Sequence, residues 1–298
     1  MNSDKNRVAP KVWLITGCST GFGYALAEAV LKKGDYLLAT AREPEQLRAL
    51  VGHYPETAKA VRLDVTLSQD IQAAVDTAIA TFGRIDVLVN NAGYGFIAAL
   101  EEVSDDDIHQ FFETNFFGAL RLMRTVLPLM RQQSSGHIVN MSSTAGLVGF
   151  GGSSLYCGAK FALEGTSEAL AKEVESFGIK VTLIEPGAFR TDFNGRSLAA
   201  AEQSIDAYAP VSGALLQWFK EIDGKQPGNP YLAAQAIIQA VESPHPPMRL
   251  ALGTDAMSLI QEKLEWVKTN LDAWQQVTVS TDYIDRKSEV IVGTKLTR

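Results

Sequence analysis

Between Lys11 and Gly34 the chain runs through a short apolar stretch, a turn with three glycines and an Ala/Leu-rich segment of helical spacing. This succession restricts the fold more than any other part of the sequence. Lys11-Val-Trp-Leu-Ile-Thr16 is apolar without alternation, the pattern of a strand buried on both faces. Gly17-Cys-Ser-Thr-Gly21-Phe-Gly23 leads directly into a helical pattern over 24–33, with Gly34 as its stop signal. Glycines let a backbone approach a pyrophosphate closely, and a helix N-terminus offers free N–H groups and the positive end of its dipole. The G-x-x-x-G-x-G spacing differs from the G-x-G-x-x-G fingerprint, so a glycine turn needed only for packing stays open as an alternative.

The alternation recurs. Tyr36–Ala41 reads as a second strand, 60–65 as a third, and 85–89 as a fourth before the tight turn Asn90-Asn91-Ala92-Gly93. A helix is expected over Ser68–Phe82, stopped by Gly83, and another over 105–133. Gly136–Met141, 179–185 and 246–252 read as strands; 161–177, 231–242 and an amphipathic segment over 256–276 read as helices. Regular βαβ spacing predicts an α/β fold: a doubly wound parallel sheet of about seven strands, helices on both faces, ligands at the carboxyl ends of the strands. The 298 residues fit one domain, 1–298. Periodicity weakens over 188–230, where Phe189, Phe193, Tyr208, Trp218 and Phe219 suggest a helical lid over an apolar substrate, or else core or a subunit interface. The end, 282–298, lacks clear periodicity and is expected to be irregular.

Two places carry chemistry. After the second strand stand Arg42 and Glu43; an acid there binds the ribose 2′-hydroxyl of NAD, whereas Arg42 pairs with the 2′-phosphate of NADP, and Pro44 suggests that Glu43 begins a helix and faces solvent. Further on, Ser142 and Ser143 end an apolar strand and precede Tyr156 and Lys160, which lie one turn apart if Tyr156 opens a helix. An ammonium at that range is expected to draw the phenol pKa down from roughly 10 toward working pH, making a general acid or base. Asn115 with Gly118 inside a predicted helix costs stability, so this pair marks either a kink with a task or crowded packing.

Taken together and in register, these residues resemble the short-chain dehydrogenase/reductase superfamily in its single-domain form, a Rossmann fold. The run Tyr156-Cys-Gly-Ala-Lys160-Phe-Ala-Leu-Glu-Gly165 is similar to the branch of hydroxysteroid and retinol dehydrogenases. The resemblance covers about residues 10–192. It implies a cofactor turn at Gly17, Ser19, Thr20, Gly21, Phe22 and Gly23, an adenine contact at Asp64 with Val65, and a cofactor wall at Asn91, Ala92 and Gly93. It also implies that Pro186, Gly187 and Thr191 pack against the nicotinamide. The implied catalytic set is Asn115, Ser143, Tyr156 and Lys160, with Ser143 and Tyr156 also meeting the substrate; Ser143, thirteen positions before Tyr156, has the family's spacing and is preferred to Ser142. Tyr156 and Lys160 would further contact the cofactor. The reaction implied is hydride transfer between NADP(H), preferred over NAD(H), and a carbonyl or alcohol, by a homodimer or homotetramer. The alternative is a non-catalytic dinucleotide-binding regulator or scaffold that has kept the fold.

Charge and composition narrow the rest. A net charge of −7 with no Lys/Arg block argues against nucleic acid as a partner. Two cysteines and four scattered histidines support neither a disulfide framework nor a metal site. The start of the chain has no signal-peptide core, and no run of about 18 apolar residues occurs, so a cytoplasmic protein without a membrane span is expected.

Overall fold

The computed structural model describes residues 9–202 and 204–283. Within them strand and helix alternate: β1 (Val12–Ile15), α1 (Gly21–Lys33), β2 (Tyr36–Ala41), α2 (Arg48–Gly52), β3 (Ala58–Arg62), α3 (Ser68–Phe82), β4 (Val87–Asn90), β5 (Gly95–Ile97), α4 (Asp105–Phe112), α5 (Gly118–Gln133), β6 (Gly136–Met141), α6 (Ser154–Val174), β7 (Ile179–Pro186), β8 (Leu198–Ala200), α7 (Ala214–Ile222), α8 (Pro230–Glu242), β9 (Arg249–Leu252) and α9 (Thr254–Val279). Among the described residues seven strands form one sheet in the order β3-β2-β1-β4-β6-β7-β9, all neighbours parallel. This is the doubly wound sheet that the strand–helix alternation predicts.

The apolar runs are continuous because both faces of the sheet are covered. Trp13, Ile15, Leu37, Ala39, Val87 and Val89 point to one face and pack with α1, α2 and α8. Their neighbours Leu14, Leu38, Leu88 and Ile138 point to the other and pack with α3, α5 and α6. From β1 the chain winds to one side through β2 and β3, then returns to place β4 on the other side of β1. The crevice that such a reversal leaves at the carboxyl ends of β1 and β4 is where ligands of this architecture sit.

Three local differences from the sequence reading have physical reasons. The third strand ends at Arg62 rather than 65, because the Asp64 N–H is taken by the Asp70 carboxylate at 3.0 Å; Asp64 and Val65 therefore lie in a loop. A small parallel pair, β5 with β8, joins the core to the segment after β7, and Gly95 permits it: a Cβ there would sit within 3 Å of Leu198 and Phe193. The expected amphipathic helix near the end extends over Thr254–Val279, but only its first turns rest on the body, Ala256 being its one buried residue. Of the irregular end expected over 282–298, everything after Tyr283 lies outside the described residues. Among the described residues no helix is long and apolar enough to cross a membrane.

Gly23 fixes the approach of α1 to the end of β1. A Cβ at this position would stand 2.2 Å from the Gly17 carbonyl oxygen and 2.5 Å from the Asn91 side-chain nitrogen, and backbone cannot yield as a flexible side chain can. Gly23→Ala is expected to lower stability by about 1–3 kcal/mol, the usual cost of overpacking. Urea denaturation checks this, and an unchanged midpoint would show that the turn has room.

Candidate active site

A cavity of about 1300 Å³ opens at the carboxyl ends of the central strands and runs from Arg42 to the aromatic residues of the segment after β7. At one end lies the turn after β1, where Gly17 and Gly21 take left-handed backbone angles (φ 70° and 60°) that a side chain would strain. The first turn of α1 has no acidic residue, and its N-cap, Thr20, makes no side-chain cap hydrogen bond. Free N–H groups and an unopposed dipole end suit an anion here, and Thr191 packs over Gly21 from across the cavity. These residues fit a pyrophosphate.

Asn91 supports this turn from below. Its side-chain nitrogen donates to the Thr16 carbonyl at 2.8 Å and to the Gly17 carbonyl at 3.0 Å, while the Thr16 hydroxyl accepts from the N–H groups of Asn91 and Ala92, each at 2.9 Å. Burial pushes the Asp64 carboxyl up, but the backbone and hydroxyl hydrogen bonds of Thr66, together with the charges of Arg42 and Arg62, hold it below its usual range. Arg42 and Glu43 both stand exposed at the mouth. Glu43 therefore borders the cavity as well as facing solvent.

At the other end Tyr156 lies in the first turn of α6 with Lys160 one turn later, as the spacing predicts. The phenol meets Ser143, whereas the hydroxyl of Ser142 is buried, turned toward Gly146 and Glu164. Asn115 sits in a π-helical turn, Glu113–Phe117, between α4 and α5, a distortion frequent at functional sites. Its amide donates to the Phe111 carbonyl and accepts from the Tyr94 N–H, both at 3.1 Å. Close packing contributes too: a Cβ on Gly118 would meet Val65 at 2.8 Å. Gly187 leaves room for the Asp255 carboxylate, which accepts from the Ala188 N–H at 2.7 Å and pins the Pro186–Gly187 segment to the start of α9.

The electrostatics correct one expectation. Lys160 does not draw the Tyr156 pKa down; the protein packed around the phenol pushes it up to about 12, against the opposing pull of the Ser143 hydroxyl. The reason is geometric. The Lys160 ammonium lies 5.6 Å from the centre of the tyrosine ring and is spent on the Met141 carbonyl at 2.7 Å, a buried hydrogen bond. Burial lowers the Lys160 pKa to about 8, with the charge of Glu164 opposing the shift. Glu164 is itself buried and pushed up to about 7, and shares Arg249 with Glu185.

The cavity thus brings together every cofactor and catalytic residue expected from the sequence except Gly23, which lies beneath the turn and shapes it without lining the space. Of the aromatics in 188–230, Phe189, Phe193, Trp218 and Phe219 border the cavity, but Tyr208 donates to the Glu101 carboxylate instead. Sequence reading placed Thr16 at the head of the glycine turn without its bonds to Asn91 and Ala92, and missed Asn140. Asn140 accepts from Asn90 and donates to Ser167, each at 2.8 Å, tying the turn after β4 to α6 through a buried polar chain. The signal available was polar residues inside two strands otherwise apolar.

Comparison with known proteins agrees with this geometry. The profile of the family described as short chain dehydrogenase matches residues 11–202. The oxidoreductase BOA17 of Botryotinia fuckeliana is 40% identical over 272 residues, 91% of this chain and 99% of that protein. The 3-ketodihydrosphingosine reductase of Bacteroides thetaiotaomicron is 35% identical, over 88% of this chain and 95% of that one. A short-chain dehydrogenase structure from Streptomyces avermitilis superposes with a TM-score of 0.86 at 44% identity, covering 91% of this chain and all of that one. A structure of ElxO with NADP bound superposes with a TM-score of 0.69 at 28% identity, covering 84% and 100%.

The buried amine gives a direct test. Lysine-selective NMR is expected to show one resonance titrating near pH 8 and absent from Lys160→Met. An unfolded lysine titrates near 10.4, so between these values the unfolded chain binds more protons and stability rises with pH. Lys160→Met should lack that rise; a wild-type chain whose lysines all titrate above 10 would overturn the assignment.

Proposed function

The chain belongs to the short-chain dehydrogenase family of oxidoreductases, and from that premise we propose that it is an NADP(H)-dependent reductase of a mainly apolar ketone or aldehyde, reversible on the matching alcohol. One observation carries this reading. The Tyr156 phenol, with Ser143 beside it, opens into the same cavity whose far end is the uncapped N-terminus of α1.

A nicotinamide bound there supplies the hydride-transfer chemistry. In the reducing direction negative charge builds on the substrate oxygen, and two donors meet it: Tyr156 gives a proton and Ser143 a hydrogen bond. A phenol held near 12 is protonated at neutral pH, so Tyr156 can give the proton that reduction requires. Lys160, with a pKa about 8, is still mostly an ammonium there, held on the Met141 carbonyl, and is assigned a hold on the nicotinamide ribose rather than on the phenol. Asn115, fixed in its π turn, is assigned the water that returns a proton toward Lys160.

Pro186, Gly187 and Thr191 form the wall on the nicotinamide side, held by Asp255, and Asp64 with Val65 and Asn91–Gly93 the wall on the adenosine side. Arg42 at the mouth suits a 2′-phosphate, whereas the neighbouring Glu43 is the feature that favours NAD(H), the weaker reading. Beyond Tyr156 the lining includes the apolar side chains of Phe150, Phe193, Leu198, Trp218 and Phe219, and the 188–230 segment is assigned the role of lid. A long apolar carbonyl compound fits these walls, in keeping with the name of the ketodihydrosphingosine reductase relative.

Tyr156→Phe is expected to bind NADPH, followed by its fluorescence, and to lose about 10²–10⁴ in turnover against a panel of apolar ketones. Near-wild-type turnover would sink the assignment. Arg42→Asp is expected to raise the Kd for NADPH far more than that for NADH, and equal losses would place 2′-phosphate recognition elsewhere.

A further inference from the structure

We propose that α9 is a dimerisation arm which pairs antiparallel with α9 of a second copy of this chain. The inference stands apart from the reading of the active site. From Leu264 to Val279 every residue of α9 is exposed, so 16 residues, about 24 Å of helix, project beyond the body. In proteins most of a helix's stability comes from packing an amphipathic face rather than from intrinsic propensity. Most of its large apolar side chains share one stripe: Met257, Ile260, Leu264, Val267, Leu271 and Trp274 recur at spacings of three and four, the a and d positions of three consecutive heptads, while Trp266, Val277 and Val279 lie off it. Leu264, Leu271 and Trp274 are each 62% exposed. Among the described residues nothing covers this stripe. Trp266, on another face, already carries the Lys263 ammonium over its ring at 4.2 Å.

A strict a/d seam calls for another helix, and the flanking charges choose its direction. Lys263 occupies a g position and Lys268 the following e position. Parallel pairing sets g against the partner's next e and would oppose these two lysines twice per dimer. Antiparallel pairing sets e against e and g against g; Lys268 then faces the partner's Gln261, and Lys263 the partner's Asn270, with no like charges opposed. The register follows from where the seam stops. The next a position is Thr278, whose hydroxyl donates to the Trp274 carbonyl at 3.0 Å, and helical residues before Met257 belong to the body contact. Full overlap of the six seam residues then places Met257 against the partner's Trp274, Ile260 against its Leu271 and Leu264 against its Val267. This arrangement is two-fold symmetric, so it closes as a dimer instead of growing into a filament. A lipid surface is the poorer occupant: the outward face carries Glu262, Glu265 and Asp272 and no Lys or Arg, whereas interfacial helices are rich in Lys and Arg there. Because Asp255 and Leu259 of the same helix border the active-site cavity, the partner's arm would end beside its mouth.

Two measurements on the full chain test this. In light scattering after gel filtration, Leu264→Glu/Leu271→Glu is expected to show half the mass of the wild type. An unchanged mass, or a wild type already at the 32.3 kDa of a single chain, overturns the proposal, and so does a monomeric wild type that co-sediments with phosphatidylcholine vesicles. Should the double variant aggregate, cross-linking decides. Met257→Cys and Trp274→Cys chains mixed under mild oxidation are expected to give a disulfide-linked dimer, and neither chain alone, because Cys18 and Cys157 are buried. Dimers from Met257→Cys alone, or none from the mixture, overturn the antiparallel register.

Discussion

The Thr16–Asn91 clasp is the constraint on which the site depends. Two strands adjacent in space but distant in sequence, β1 and β4, end side by side: the Thr16 N–H makes the last ladder bond, to the Val89 carbonyl at 3.0 Å, and the polar groups beyond it need other partners. Asn91 and Thr16 join through two hydrogen bonds, and two more tie Asn91 to the Gly17 carbonyl and the Ala92 N–H to the Thr16 hydroxyl, all at 2.8 to 3.0 Å. Each such bond contributes only about 0.5–1.5 kcal/mol net, but a buried group left without its partner costs about 1–3 kcal/mol, so the clasp is held as a unit. It fixes the height of the Gly17 turn, hence the direction of α1, hence the position of the free N–H groups that face the cavity. Through Asn90, Asn140 and Ser167 the same end of the sheet is tied to α6, which carries Tyr156 and Lys160. The two ends of the cavity are therefore parts of one rigid frame.

Within that frame, burial outweighs charge at the reacting groups. A tyrosine with a lysine one turn away looks acidified when only spacing is considered, since opposite charge at short range favours the phenolate. Once packed, the ammonium is turned to the Met141 carbonyl, and the protein around the phenol opposes ionisation more than the charge supports it. The consequence is a pair held in unlike states, a neutral phenol and an ammonium. Behind Lys160, the shared Arg249 keeps two buried carboxylates from standing unpaired, so that the last strand β9 contributes to the charge balance of the catalytic helix.

Much of this was legible in the sequence, and for local reasons. Unbroken apolar runs, helices stopped by Gly34, Gly83 and Gly178, and a serine, tyrosine and lysine at set spacings all report on structure within a few residues, where pattern and geometry correspond closely. The π turn at Asn115 was visible as two poor helix formers in one helix. What escaped were features made by residues far apart in the chain: the clasp of Thr16, the polar chain through Asn140, the seating of Asp255 under Gly187, and the pairing of β5 with β8. The apolar stripe on α9 was readable as amphipathic, but its freedom from the rest of the body was not.

The sequence by itself determined a parallel doubly wound sheet, the glycine turn at its reversal point and the tyrosine–lysine pair, because each rests on short-range periodicity and turn chemistry. Only the tertiary structure decided that Gly23 supports the turn without lining the cavity, and that the phenol is made less acidic instead of more. Those outcomes depend on what is packed against a group from other elements and on which hydrogen bonds remain free there. Desolvation and steric room are properties of the folded neighbourhood, and no spacing along the chain carries them.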